Sequence, residues 1–415
     1  MKLNLVLKAL DRGFRNDTFE DTRVTQSAFN RSSVYATPSV VLLTNFLPPY
    51  RIAVLKAVQA RLPNFSVLIS TQMENNRSWS PEYKGLNVAI QKNVSFTQGQ
   101  WHPKGFRDDL NIHIPYDTLW RLLRARPEVV ITGELGVRTV FALLYRKLQT
   151  KSRLIVWATV SEASEAGRGK LRQFVRSGIL SHVDAVLVNG ASGARYVARF
   201  GVPKRKIFIA PYTSDIRPLG AILLQRGYVE SRRLLYVGQL IERKGLIPFL
   251  SVLSSWAKAH ATAEVEFWIV GDGAARTALQ EVPLPPNLVL HFFGNVPYEK
   301  VETFYAQAGI LVLPTLADEW GLVVNEAMAS GLPVLGSLYS QAVQELVEDG
   351  VTGWTFHPDR ADEMYTAVDR ALSTGEDRLE EMRVSATTRV EYLTPDYLAE
   401  RILEAIHFVR PDLEI

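Results

Sequence analysis

Short apolar runs alternate along this chain with segments whose apolar residues lie three and four positions apart. The runs are apolar on both faces, as is typical of buried strands. In the first half they lie at residues 40–45, 65–70, 128–133, 152–160, 184–190 and 206–212. The intervening segments have the period of amphipathic helices. Strand alternating with helix requires right-handed crossovers between parallel strands, so the first half predicts a doubly wound parallel sheet.

The same alternation begins again after a break at residues 215–220, where turn residues end the first series. The second series of strand-like runs lies at residues 233–240, 265–273, 288–296, 309–315 and 333–337. The fold class predicted is therefore α/β, with two Rossmann-like, doubly wound parallel-sheet domains. Two such domains in one chain place a cleft between the carboxyl ends of their sheets.

The predicted chain has four parts. Residues 1–36 are polar and weakly patterned and form an N-terminal extension. The two Rossmann-like domains occupy residues 37–220 and 221–392. Residues 393–415 form a C-terminal helix, which we expect to pack back towards the N-terminal domain.

The charge is divided unevenly between the two halves. Residues 1–230 contain 33 Lys and Arg against 16 Asp and Glu, a net charge of +17. Residues 231–415 contain 14 against 27, a net charge of −13, so the total of +4 hides the division. Opposite signs predict halves that meet different ligands and that attract each other across the cleft.

The composition excludes several classes of protein. The chain has no Cys, which rules out a disulfide framework, a thiolate zinc site and a Cys nucleophile. No window approaches the roughly 20 apolar residues of a membrane span, and the first residues lack the apolar length of a secretory signal. We therefore expect a cytoplasmic protein. The cations are dispersed, so we expect no nucleic acid partner.

The densest group of polar residues lies at residues 311–336, where a strand runs into a loop and then a helix. Asp318 and Glu319 are on the loop, and Glu326 is on the first turns of the helix. The carboxylate of Glu326 can accept hydrogen bonds from a vicinal diol such as a ribose. Alternatively, Asp318 is an ordinary loop acid and Glu326 only favours the helix N-terminus.

The start of this helix is a candidate anion site. Its first amides, at Gly321, Leu322 and Val323, have no partner within the helix and lie at the positive end of the helix dipole. Such amides suit a phosphate group.

A second motif follows a buried strand at residues 234–245, where Arg243 and Lys244 are adjacent on a loop. Two cations at the carboxyl end of a strand can hold a diphosphate and stabilise it as a leaving group. The alternative is a solvated basic pair. Only 14 cations occur in residues 231–415, which favours the binding role.

Strand-to-loop turns form the third motif. Gly238, Gly271, Asn295 and Val296 lie where backbone groups can approach a flat base. No GxGxxG fingerprint is present, which argues against an NAD-dependent oxidoreductase. The chain also has no Asp-x-Asp pair, so we expect neither a metal nor another cofactor.

These three blocks, in this order and spacing, closely resemble the C-terminal half of the family 4 retaining glycosyltransferases, which have the GT-B fold. The sequences that carry the resemblance are VGQLIERKGL at residues 237–246 and WGLVVNEAMASGLPV at residues 320–334. The resemblance covers about residues 38–410 and is strongest over residues 232–357. It implies a C-terminal domain that binds a nucleotide-sugar donor and an N-terminal domain that binds the acceptor.

The resemblance also implies roles for individual residues. Arg243 and Lys244 would hold the donor diphosphate, and Glu326 would bind the nucleotide ribose. Asp318 would contact hydroxyls of the donor sugar, while the three helix amides approach sugar and phosphate. The family usually has Glu at the first acid position, and Asp is one methylene shorter. Glu319 is the alternative for this contact.

The N-terminal half departs further from the family. Pro49, Tyr50 and Arg51 resemble a turn found after the first strand in some members. Glu134 and Arg138 follow a later strand and are expected to face the cleft.

A catalytic histidine does not transfer to this chain. Many members carry a His-containing loop where this chain has Glu162 and Glu165, either of which can take its place. We expect His102, His113 and His182 to be ordinary loop or surface residues.

Residues 167–180 are predicted to form an amphipathic helix. One face carries Leu171, Phe174, Val175 and Ile179, and another carries the ladder of Arg168, Arg172 and Arg176. A basic helix of this kind can lie on an anionic membrane, on the inner face of a cell membrane in this case. Alternatively, its apolar face packs on the core and its basic face is solvated.

The function implied is transfer of a sugar, with retention of anomeric configuration, from a nucleoside diphosphate donor to a glycan or lipid-linked acceptor. Such a reaction serves the synthesis of surface polysaccharide or glycolipid. The alternative is a paralogue that binds a nucleotide sugar or glycan without turnover, since the first acid is Asp and the usual His is absent.

Overall fold

The computed structural model describes residues 39–74, 83–216, 219 and 227–413. The predicted N-terminal extension, and part of the predicted break at residues 215–220, lie outside the described residues. The two predicted parallel sheets are both present.

The first half alternates strand and helix, apart from one inserted hairpin. Its elements are β1 (Val40–Thr44), α1 (Pro49–Arg61), β2 (Phe65–Ile69), β3 (Val88–Ile90), β4 (Val94–His102), β5 (Phe106–Ile114), α2 (Thr118–Ala125), β6 (Val129–Thr132), α3 (Val137–Leu148), β7 (Arg153–Ala158), α4 (Lys170–Leu180), β8 (Ala185–Val188), α5 (Ala191–Ala198) and β9 (Ile207–Ile209).

Among the described residues, seven of these strands form one parallel sheet in the order β3-β2-β1-β6-β7-β8-β9. The strand order reverses between β1 and β6. A crevice therefore opens outside the carboxyl ends of these two strands, where open α/β sheets bind their ligands.

The second half repeats the plan. Its elements are α6 (Tyr228–Arg232), β10 (Leu234–Val237), α7 (Leu246–Ala259), β11 (Val265–Val270), α8 (Arg276–Gln280), β12 (Leu288–Gly294), α9 (Tyr298–Gln307), β13 (Ile310–Leu313), α10 (Val323–Ala329), β14 (Val334–Ser337), α11 (Gln341–Leu346), β15 (Gly353–Phe356), α12 (Ala361–Ser373), α13 (Glu376–Val390) and α14 (Pro395–Val409).

Six strands in the described part of this half form a parallel sheet in the order β12-β11-β10-β13-β14-β15. Its switch point lies between β10 and β13, by the same topological rule as in the first half. The predicted α/β class with two doubly wound parallel sheets is confirmed.

Apolar side chains cover both faces of the first sheet. On one face, α1 and α14 pack against the strands through residues such as Val54, Leu55, Leu398 and Ile402. On the other face, α2 to α5 contribute a separate cluster that includes Tyr145. The last helix of the chain therefore belongs to the core of the first half.

An antiparallel hairpin of β4 and β5 lies outside both sheets. Sequence reasoning missed it because most side chains of β4 are exposed and show no apolar period. The hairpin turn at residues 102–106 reaches the second half of the chain, where Lys104 contacts Tyr339 and Asp359.

Candidate active site

Two loops meet at the switch point of the second sheet. A short 3₁₀ turn, Glu242–Lys244, follows β10 and carries two cations, while the loop after β13 carries two acids. The backbone carbonyl of Arg243 accepts hydrogen bonds from Leu316 N at 2.8 Å and Thr315 Oγ1 at 3.1 Å. These bonds fix the cationic turn against the acidic loop.

Gly245 permits this close approach. Its φ of +67° lies in the left-handed region, and a Cβ placed there would lie 2.1 Å from the carbonyl oxygen of Pro314. A larger residue would therefore separate the two loops.

The cations and acids that the sequence predicted are paired across these loops. Lys244 Nζ lies 2.5 Å from Asp318 Oδ2, and Arg243 Nη1 lies 3.4 Å from Glu319 Oε2. The side chains of Lys244 and Asp318 are only 15% and 12% exposed. Burial alone would raise the pKa of Asp318, but the charges of Lys244 and Arg243 lower it below its ordinary value. Asp318 is therefore an anion held between two cations.

Glu326 lies on α10 and is almost fully buried. Its carboxylate accepts hydrogen bonds from the hydroxyls of Tyr298 and Tyr305, both at 3.0 Å. Burial raises the pKa of Glu326, and the two tyrosine hydrogen bonds offset only part of that effect. Sequence reasoning missed both tyrosines, although their spacing on α9 puts them on one helical face.

The predicted backbone positions lie on the same edge of the sheet. Gly271, at the end of β11, lies so close to the strand-to-loop turn at Gly238 that a Cβ would be 1.9 Å from the carbonyl oxygen of Gly238. Asn295 and Val296 follow β12 directly.

The helix that carries Glu326 begins two residues later than predicted. Gly321 lies in a turn with a φ of +104°, and α10 begins at Val323 with Leu322 as its N-cap. Gly321 therefore precedes the helix instead of opening it.

The switch point of the first sheet holds a buried arginine. Arg138 is fully buried and donates to Glu134 Oε1 at 3.0 Å, to Asn45 Oδ1 at 2.7 Å and to Ser70 Oγ at 2.5 Å. Burial lowers the pKa of Arg138, and the charge of Glu134 opposes that shift. The guanidinium fixes Glu134 at the carboxyl end of β6, where the predicted cleft lies.

Arg51, on the first turn of α1 after β1, lies between two aromatic rings. Its guanidinium carbon lies 4.8 Å from the ring centroids of Trp157 and Tyr212, and it donates to the Tyr212 hydroxyl. Tyr50 contacts the Tyr212 ring at 6.0 Å, and Pro49 is the first residue of α1. The ring contacts, the hydrogen bond to Tyr212 and a further one to Thr44 Oγ1 at 3.4 Å together orient the guanidinium.

Glu162 and Glu165 form their described ion pairs with arginines of the first half. Glu165 forms a buried ion pair with Arg176 and a second pair with Arg172 at 3.4 Å. Glu162 pairs with Arg195 at 2.8 Å and with Arg199. The structure thus joins each glutamate to arginines of neighbouring helices.

The predicted amphipathic helix is present as α4, but two of its predicted solvent-facing arginines, Arg168 and Arg176, are buried. The arginine ladder faces inward, because Arg176 is buried against Glu165 and Arg168 donates to Gln100 Oε1 at 2.6 Å. The predicted apolar face is instead exposed at Leu171 and Phe174, although Ile179 is buried. The predicted alternative for residues 167–180, an apolar face packed on the core and a solvated basic face, is therefore wrong for Leu171, Phe174 and Arg176. The predicted membrane contact stays a prediction.

Side chains from the second half bridge the two halves beside the acidic loop. Asn325 Nδ2 donates to the carbonyl of Tyr212 at 2.9 Å. Gln341 Nε2 donates to the carbonyls of Val160 at 2.8 Å and Glu319 at 2.7 Å. The acidic loop therefore lies at the boundary between the two sheets.

The hairpin turn forms a second bridge. Lys104 Nζ lies 2.8 Å from both Asp359 Oδ2 and the Tyr339 hydroxyl, and Arg107 N donates to Glu242 Oε2 at 3.0 Å. A cavity of about 380 Å³ lies between the hairpin and the start of α7. Lys104 of the basic half thus pairs with Asp359 of the acidic half. The same hairpin also contacts Glu242, the residue before Arg243.

His102 and His113, predicted to be ordinary loop or surface residues, are instead buried residues of β4 and β5. His102 stacks on Phe106 with ring centroids 4.4 Å apart, and His113 pairs with Glu74 at 3.2 Å. Both hold the hairpin in place, whereas His182 is exposed as expected.

Comparison with known proteins gives a family match for the half that holds the cationic turn and the acidic loop. Residues 231–374 match the model of glycosyl transferases group 1. The alpha-D-kanosaminyltransferase of Streptomyces kanamyceticus is 29% identical over 166 residues, which are 39% of this chain and 42% of that protein. The chain spans less than half the length of the first curated relatives that it matches.

Solved structures match over nearly the whole chain. The apo form of the lipopolysaccharide outer core galactosyltransferase WaaB has a TM-score of 0.66 and 14% identity, covering 88% of this chain and 98% of that chain. Anabaena Alr3699/HepE in complex with UDP and glucose has a TM-score of 0.64 and 13% identity, covering 89% and 99%. This chain therefore has the GT-B fold, as the sequence predicted.

Proposed function

We propose that this protein is a retaining glycosyltransferase. It moves a sugar from a nucleoside diphosphate donor to a glycan or lipid-linked acceptor, in the synthesis of surface polysaccharide or glycolipid. The observation that carries the proposal is the pairing of the Arg243–Lys244 turn with the Asp318–Glu319 loop at the switch point of the second sheet. The match of residues 231–374 to glycosyl transferases group 1 and the GT-B fold support it.

Arg243 and Lys244 hold the donor diphosphate. A diphosphate brings more negative charge than Asp318, so it competes for the Lys244 ammonium that Asp318 now holds. As the bond from the anomeric carbon to the diphosphate oxygen breaks, negative charge grows on the leaving group. Two fixed cations favour that transition state over the ground state.

Asp318 and Glu319 contact the transferred sugar. Both side chains follow β13 and lie beside the cations, so a sugar attached to the diphosphate reaches them directly. Asp318 is ionised, so its carboxylate can accept the hydrogen bonds that sugar hydroxyls donate.

Glu326 binds the nucleotide ribose. Each carboxylate oxygen has about two lone-pair sites, and Tyr298 and Tyr305 each use one. The remaining sites can accept the ribose hydroxyls, while the two tyrosines fix the orientation of the carboxylate.

The first sheet presents the acceptor. Glu134 is fixed by Arg138 and is partly exposed at the carboxyl end of β6. Its carboxylate can accept a hydrogen bond from a hydroxyl group of the acceptor substrate. Front-face transfer, in which the acceptor oxygen attacks on the side that the diphosphate leaves, retains the configuration and requires mainly positioning.

The experiment has two stages. The first is a thermal-shift screen of nucleoside diphosphates, beginning with UDP because the similar Anabaena structure holds UDP and glucose. The second is turnover of the matching sugar donor with candidate acceptors, with the product anomer assigned by NMR. We expect a base-specific shift, turnover and a retained configuration, each unchanged by EDTA because cations of the protein carry the diphosphate.

The outcomes separate the proposal from its alternative. Specific binding without turnover on any acceptor would favour the non-catalytic binding paralogue. An inverted product would contradict retention, and loss of turnover with EDTA would contradict the metal-free assignment. If no nucleoside diphosphate shifts the melting temperature, the donor site itself is wrong.

A further inference from the structure

Helices α3 and α4 expose large apolar side chains on the outer face of the first half. Leu171 and Phe174 of α4 are 78% and 77% exposed, and Val175 beside them is also exposed. The exposed apolar residues of α3 follow a helical stripe at Val137, Val140, Leu144 and Leu148. We call these seven residues the apolar surface.

The internal packing of both helices fixes this orientation. In α4, Arg176 turns inward to the buried carboxylate of Glu165, and Ile179 enters the core. In α3, Arg138 and Tyr145 face the interior. Neither helix can bury its exposed stripe without breaking these contacts, so the apolar surface is a fixed feature of the fold.

Lysines lie at the edge of the apolar surface. Helices α2, α3 and α4 together contain eight Lys and Arg residues and no Asp or Glu, although Arg138 and Arg176 are buried and three of the other arginines pair with acids outside these helices. Lys147 and Lys170 are exposed on the same helices as the apolar stripes, and Lys151 is exposed just after α3. Protruding apolar side chains with cations at their edge match the interface of an anionic lipid layer.

We propose that the apolar surface docks this protein on an anionic lipid membrane. Leu171 and Phe174 enter the boundary between headgroups and acyl chains, and Lys147 and Lys170 lie against anionic headgroups. Within the described residues, no helix combines the length and hydropathy of a membrane span. The proposal uses no residue of the donor loops and stands independently of the proposed activity.

The absence of Cys from the chain permits a direct test. Single Cys residues introduced by Phe174→Cys or Leu171→Cys are labelled with an environment-sensitive fluorophore. Val384→Cys is the matched control, since Val384 is 56% exposed on α13 of the other half. Each labelled full-length protein is mixed with vesicles of phosphatidylcholine containing phosphatidylglycerol, and with vesicles of phosphatidylcholine alone.

We expect a blue shift in emission at positions 171 and 174 with the anionic vesicles, and none at position 384. Without labels, Phe174→Ser should lower the vesicle partition coefficient about 10-fold or more, while Val384→Ser leaves it unchanged. Circular dichroism checks that each variant is folded, and because Phe174 is exposed we expect little change in its melting temperature.

Several results would overturn the proposal. No shift at position 174, or equal shifts at positions 174 and 384, would exclude docking through this surface. A label already shielded at position 174 without lipid would show that a second copy or another segment covers it. Equal partitioning onto neutral and anionic vesicles would contradict the role given to Lys147 and Lys170.

Discussion

Each of the two sheets carries a cation–carboxylate pair at its switch point, and the two pairs differ in how much they are enclosed. Arg138 in the first half is fully buried and donates to three different side chains. Lys244 in the second half is 15% exposed and its described hydrogen bond runs to Asp318. The first cation is a fixed support for Glu134, whereas a ligand can compete for the second.

The largest effect expected from this difference is on stability. Arg138→Met leaves Glu134, Asn45 and Ser70 without their donor and should lower the free energy of unfolding by about 3–5 kcal/mol. Urea denaturation measures the change. Arg195→Met is the matched control, because Arg195 pairs with Glu162 at the surface and should cost at most about 1 kcal/mol. Equal losses for both variants would remove the distinction between the two pairs.

The next effect is on turnover. Lys244→Ala removes a cation from the proposed diphosphate site and should lower the turnover rate about 10²–10³-fold, the range found when one preorganised donor to a transition-state charge is lost. Steady-state kinetics with the donor identified by the nucleotide screen measure it. Lys258→Ala, an exposed lysine on α7, should leave the rate unchanged. Unaltered turnover in Lys244→Ala would show that this pair is structural, like that of Arg138.

The sequence was sufficient to predict the two sheets and the loops that face each other, because buried parallel strands leave continuous apolar runs. It was insufficient for the hairpin of β4 and β5, because most side chains of β4 are exposed and show no apolar period. Contacts distant in sequence, such as those of Tyr298 and Tyr305 with Glu326, leave no local pattern either.

Helix α4 shows a further limit of periodicity. The pattern of residues 170–180 defines an apolar face and a basic face but not which of them is buried. The partner Glu165 decides this, since its buried carboxylate requires the guanidinium of Arg176. Arg176 is therefore internal while Leu171 and Phe174 are external, the reverse of the predicted alternative in which the apolar face packs on the core.

A smaller effect distinguishes Asp318 from Glu326 by the pH dependence of stability. The pKa of Asp318 is lowered in the folded state, so its stabilising effect is present above the unfolded value of about 3.9 and is lost as pH falls through the folded value. The pKa of Glu326 is raised in the folded state, so its protonated carboxyl stabilises the fold below the unfolded value of about 4.3. This stabilisation is lost as pH rises through the folded value.

Asp318→Asn should therefore destabilise the protein at neutral pH by about 1–3 kcal/mol, and the difference from the unmodified protein should shrink in acid. Glu326→Gln should gain stability relative to the unmodified protein as pH rises from about 4.3 towards neutrality. Urea denaturation over this pH range measures both differences. Differences with the same slope for the two variants would contradict the opposite pKa shifts.

The smallest effect concerns the two tyrosines that hold Glu326. Tyr305 is buried, so Tyr305→Phe leaves a carboxylate oxygen without its donor where water has no access, at a cost of about 1–3 kcal/mol. The Tyr298 side chain is half exposed, so Tyr298→Phe should cost less, about 0.5–1 kcal/mol. The same variant should weaken donor binding less than 10-fold, measured by calorimetry, because Tyr305 still orients the carboxylate. Tyr298→Phe could instead abolish donor binding while the protein keeps its stability. In that case the Tyr298 hydroxyl would itself contact the donor, and the ribose-binding role proposed for Glu326 would belong to Tyr298.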